Sequence, residues 1–335
     1  MKGRDLLILA AVLLVIGLAV ADSLRSDESR VESRPTTSGP ETPPSTTTAP
    51  VEEDVLGRES FPPVQGAGGA IVIVQNGSCA VREFDLPTGL EFPNVVARST
   101  CELWAAPVTA KVAVGIGEPV GDAVPFRFFD LGQPNRDLGN SEAAFGFLVW
   151  SDDGQRAAWC NRRLEGIDLE VGSSRRRLPD CPAAYTPDGE VAYALEDRLV
   201  TEERELLQAS GGITHVHFGS DGSAGIVVEG RRIERYVNGR LADALDLSNR
   251  FQGQLPALSP DNCSAAFRAG NRIHILDVGC SDYGGEVLGG RVATWSPDGD
   301  WLAVGEPDQV TFVNLPTGEA VEWPIGAVQL AWRRG

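Results

Sequence analysis

The sequence predicts an all-β fold: a seven-bladed β-propeller closed by its C-terminal strand pairing with the N-terminal blade, preceded by an N-terminal hydrophobic helix and a disordered linker. Three observations predict the ring. An aromatic residue or Leu followed by a turn of Ser, Thr, Gly, Pro and Asp begins at Trp150, Tyr185, Phe218, Leu258 and Trp295, at intervals of 35, 33, 40 and 37 residues. A second turn signature, built on Asp-Leu, Asn-Leu or Asp-Val and usually closed by Gly, recurs at 84–89, 129–132, 167–169, 275–279 and 313–318. The chain also ends on an apolar stretch, 327–332, that has no sheet of its own.

Each copy of the first turn lies between two short apolar stretches, as where Arg291 to Trp295 leads in and Trp301 to Val304 leads out. Pro presets φ, the Asp (Asp153, Asp188, Asp221, Asp261 or Asp298) can bond the backbone two residues on, and Gly or Asn accepts the left-handed conformation that closes a hairpin. A third strand ends in the second signature and a fourth follows, such as Glu319 to Trp323. Four short antiparallel strands repeated every 33 to 46 residues read as blades, because a sandwich has no reason to repeat its turns at an interval. Trp104-Ala105-Ala106-Pro107, 46 residues before Trp150, and Trp332, 37 after Trp295, read as degenerate copies. Ala70 to Val74 with Cys79 to Leu86 is a blade lacking its first strand. Pairing it with the strand at Trp332 removes both edges and makes the count seven. The propeller is assigned to 69–335 and the linker to 22–68.

The Ser-Pro-Asp-Gly hairpins with the following Asp-Leu turns resemble the WD40-like PD40 repeats of the TolB propeller type over most of residues 70–335, most closely at Trp295. The resemblance implies a propeller in an exported bacterial protein. TolB itself adds an N-terminal α/β domain, which the low-complexity residues here do not supply.

Leu6 to Ala21 are sixteen apolar or small residues without a charge, behind Lys2 and Arg4. Two readings stay open: an uncleaved anchor, somewhat short of the usual spanning length of about 20 residues, or a signal peptide cleaved after Ala19-Val20-Ala21. With an anchor, the basic residues keep the N-terminus in the cytoplasm and place the propeller outside a cell membrane; with cleavage it is secreted. The Pro- and Thr-rich stretch from Pro35 to Pro50 cannot bury a core and reads as an extended stalk.

Cysteine placement supports export. Cys79 lies where strand two of its blade turns into strand three, and Cys101 begins strand one of the next blade; Cys160 and Cys181 take the same two places further on. Cys263 and Cys280 face each other across one strand pair. The expected disulfides are Cys79–Cys101, Cys160–Cys181 and Cys263–Cys280, out of fifteen connectivities.

A net charge of −18 argues against nucleic acid and anionic lipid as partners. Arg175-Arg176-Arg177, the one dense basic run, reads as a solvated edge strand. The chain has three histidines and no Gly-x-Ser-x-Gly elbow, which leaves little for nucleophile–histidine catalysis. His215 and His217, two apart on a proposed innermost strand, point the same way and are the candidate binding residues. They could offer two metal nitrogens, but further ligands would have to come from other blades, and the plainer reading is polar filling of the channel. No catalytic residue, metal or cofactor is expected. The function expected is a membrane-anchored, monomeric binding or scaffold module for a protein or a cell-envelope glycan. The alternative is a carbohydrate-active hydrolase or lyase using paired channel carboxylates.

Overall fold

A computed structural model describes residues 59–334 apart from 93–95, 97–99, 117–122, 133–135, 162, 172–174 and 282, with backbone alone for 123, 136–137, 139–147 and 286–288. The expected N-terminal helix and the linker up to residue 58 lie outside the described residues. Twenty-six strands and no helix occur among those described, and every pairing is antiparallel.

Seven blades are present. Blade 1 is Ala327–Arg333, Ala70–Gln75 and Val81–Asp85, from the centre outward, with bridges from Val81 to Val96 and Phe84 to Glu91 at its outer edge. Blade 2 begins Leu103–Ala105, Lys111–Gly115 and Ala123–Asp130, and blade 3 continues Arg156–Cys160, Gly166–Glu170 and Arg175–Arg177. One strand, Arg136–Trp150, serves both: it pairs with Ala123–Asp130 as the outer strand of blade 2 and with Arg156–Cys160 as the inner strand of blade 3. Blades 4 to 7 are regular four-stranded sheets spanning 182–208, 213–246, 257–289 and 292–323. First strands touch between blades 2 and 3, 3 and 4, 4 and 5, and 6 and 7, and Ala327–Arg333 touches both Val292–Trp295 and Leu103–Ala105, which closes the ring.

Closure comes from the expected pairing. Ile71 stands opposite Trp332 and Ile73 opposite Leu330. Beneath this seam Trp323, fully buried, meets Phe312, Phe84 and Phe61 at ring-centroid distances of 4.7, 5.5 and 5.0 Å. Residues 61–64, which the sequence reading places in the linker, belong to this core: Phe61 N–H bonds Gly89 O, Val64 is buried, and the Trp323 indole donates to Pro62 O at 2.9 Å.

All three expected disulfides form, with Cα separations of 4.7 Å for Cys79–Cys101, 5.1 Å for Cys160–Cys181 and 5.0 Å for Cys263–Cys280. The first two staple blade 1 to blade 2 and blade 3 to blade 4 on one face of the ring. The third lies within blade 6 on the other.

Two alignments differ from expectation. Ala106 N–H bonds Lys111 O just as Ser151 N–H bonds Arg156 O, so Ala105, and not Trp104, stands at the repeat's aromatic position. Trp104 sits one place earlier, against Phe126. The Ile167-Asp168-Leu169 stretch is no turn: Asp168 lies mid-strand and 3 % exposed, and Glu170 is the residue that precedes the turn.

Candidate functional site

In four copies of the first turn the Ser or Thr hydroxyl donates to the turn Asp and accepts the N–H that opens strand two, as where Ser296 binds Asp298 and the Trp301 N–H. Asp153, Asp221, Asp261 and Asp298 each accept a backbone N–H two residues on. In blade 4 the N–H of Glu190 goes to Thr186 and leaves Asp188 to Arg204. Neutral hydroxyls fix the charged Asp, and the turn becomes rigid.

One residue per blade stands at a common mouth of the central channel, four of them on these stiff turns: Pro107, Asp152, Pro187, Ser220, Pro260, Pro297 and Arg334. Two adjoining cavities of about 330 and 360 Å³ lie there, walled by Trp150, Tyr185, Phe218, Trp295 and Trp332. The aromatics also bind blade to blade. Trp150 donates its indole N–H to Trp104 O, and Trp295 to Ala257 O, each reaching the preceding inner strand. Among the described residues lining both cavities the sole carboxylate is Asp152, with Arg334 at 4.0 Å from it across the mouth.

His215 and His217 do come together, both lining the cavity of about 360 Å³ on the inner strand Ile213–Phe218. Their chemistry is set by burial. The Ser223 hydroxyl donates to Asp261 O, so it accepts from Asn262 Nδ2, which turns Asn262 Oδ1 toward His217 Nδ1 at 2.7 Å. An amide oxygen only accepts, so Nδ1 carries the proton and Nε2 is left as an acceptor. Burial lowers His217, while the Asn262 bond and the charges of Asp152 and Asp221 oppose it. Burial, and then the neighbouring His217, pull His215 down to about 4. His274 lies elsewhere, on the third strand of blade 6 with its ring against Phe251. No group of three or more metal-ligating side chains occurs among the described residues.

These histidines should make the ring acid-sensitive. His215 stays neutral in the fold from its ordinary 6.5 down to about 4, whereas the unfolded chain takes up its proton below 6.5. Stability from this group is therefore full above pH 6.5 and is lost as pH falls toward 4, by at most about 3 kcal/mol. We expect His215→Gln to flatten the fall in urea stability between pH 7 and 4.5; an unchanged slope would discard this account.

A polar site that sequence reasoning missed lies between blades 3 and 4. Buried Asp168 accepts from Arg156, from the Tyr185 hydroxyl at 2.8 Å, and faces Arg176 at 3.6 Å. Burial and then the Asp168 charge raise the Tyr185 phenol far above its ordinary value. Glu83 takes the equivalent place in blade 1, opposite the third residue of strand two, and pairs with Arg333. Only the Asp168 position relative to the blade register could have signalled this, and the Asp-Leu resemblance to a turn masked it.

No protein-family profile matches this chain, and no curated protein matches it. Among solved structures it is similar to Kuenenia stuttgartiensis hydrazine synthase (14 % identity, TM-score 0.44, 64 % of this chain and 76 % of that one). It is also similar to the Myceliophteria thermophila Cps50 (Swd1) β-propeller domain (14 % identity, TM-score 0.44, 67 % of this chain and 89 % of that one).

Proposed function

We propose that this chain is an exported, membrane-tethered propeller of the TolB-like PD40 kind that holds a protein or a cell-envelope glycan at the turn-bearing mouth of its channel. The observation that carries this reading is the mouth itself, to which every blade contributes one residue, four of the seven on turns locked by a Ser or Thr and an Asp. Proline, aromatic and neutral imidazole groups give it a surface that is preformed and costs little entropy on binding. A fold with three disulfides supports an oxidising compartment, and the apolar run 6–21 supports export. The two-carboxylate hydrolase has less behind it, since Asp152 at this mouth faces Arg334 rather than a second acid.

Filling the mouth tests the reading. Ser220→Trp, at a position whose side chain lies on the cavity wall, should abolish retention of envelope components by the immobilised chain, while Arg240→Gln on an outer strand should not. Equal retention by wild type and Ser220→Trp would reject the site.

A further inference from the structure

The opposite end of the channel is built for different chemistry. A cavity of about 370 Å³ opens there among the inner strands of blades 1, 2, 6 and 7, with Leu103, Ile273 and Leu330 in its wall and Leu255, half exposed, on its lip. Arg268 and Arg291 stand on the same lining, both exposed. Arg268 gives its Nε–H to Gly270 O at 2.9 Å, and neither guanidinium has a carboxylate partner among the described residues. Glu102, next to Leu103 of the lining, accepts from the Gln329 amide at 3.2 Å, while Gln329 Oε1 takes the Leu103 N–H at 2.7 Å.

Arg82, Arg156, Arg204, Arg232 and Arg235, by contrast, each find a carboxylate. Two left without one, over an apolar floor, form a cationic rim whose planar forks match a carboxylate in two-pronged fashion. The volume admits a short apolar body and excludes a polymer chain from entering whole.

We propose that this mouth is a second binding site, for a small monoanionic carboxylate carried on a short apolar body, with Arg268 and Arg291 taking the carboxylate and Leu103, Leu255 and Leu330 the body. Acylated amino acids and medium-chain fatty acids share that chemistry. The site is separate from the turn-bearing mouth, so it stands or falls independently of the function proposed there.

Calorimetric titration of the full chain with N-acetyl-leucine and with octanoate, each against its uncharged counterpart N-acetyl-leucinamide or octanol, tests it. At least one acid should bind, its neutral counterpart about tenfold or more weakly, and Arg268→Gln/Arg291→Gln should weaken the acid about tenfold or more while leaving the unfolding midpoint in place. The tighter acid identifies the source of the ligand. Arg240→Gln, removing a charge elsewhere, should change nothing. Equal affinity for acid and neutral counterpart, undiminished binding by the double variant, or no binding of either acid at millimolar concentration would each overturn the proposal.

Discussion

A chain ending at Gly326 should lose its cooperative unfolding transition altogether. The missing strand carries Trp332, which is 7 % exposed and donates its indole N–H to Gly68 O, and it covers the inner edge of Ala70–Gln75 at six register positions. Without it Ile71 and Ile73 lose their cross-strand partners, Phe312 loses the Trp332 ring, and blade 1 presents a bare strand edge, the feature that drives aggregation. Trp332→Ala alone should cost about 3–5 kcal/mol, a large share of the roughly 5–15 kcal/mol that holds a domain together. Thermal unfolding monitored by tryptophan fluorescence gives the answer. A truncated chain that melts in one sharp transition near the wild-type midpoint would mean the ring is not held shut by this strand.

Asp168→Ala should be the most costly single change between blades 3 and 4. It removes the acceptor shared by Arg156 and the Tyr185 hydroxyl and leaves both in a site where the Asp side chain was 4 % exposed. Stripping one partner from a buried ion pair costs about 3–5 kcal/mol, because the remaining charge stays desolvated. The Arg156 side chain keeps a third of its surface in water, which places the expected loss at the lower end, about 3 kcal/mol. Asp168→Asn, which still accepts the Tyr185 bond, should lose less. Urea denaturation of the two variants settles the order, and an Ala variant as stable as wild type would remove Asp168 from any part in joining the blades.

These two sites also mark how far the sequence could be read. The closing strand was legible because its evidence is arithmetic: Trp332 falls one repeat after Trp295, and a lone apolar strand needs an edge. The cysteine pairing was legible for the same reason, since equivalent places in successive blades recur in space as they do along the chain. Asp168 was not. Its neighbours Ile167 and Leu169 imitate the Asp-Leu turn, and the two-residue shift that makes it a buried anchor is visible only in the register against Ala158. Trp104 was displaced by one position for a like reason, because an aromatic side chain alone does not say which strand residue bears it.

By itself, then, the sequence determined the repeating unit, its number, the closure and the three crosslinks, all of which follow from local turn chemistry and the two-residue period of a strand. Tertiary structure alone decided which side chains meet at the two ends of the channel. Asp152 and Arg334 lie 182 positions apart and His217 and Asn262 are 45 apart, so their encounter is set by the ring's curvature, and one sequence carries no measure of that angle.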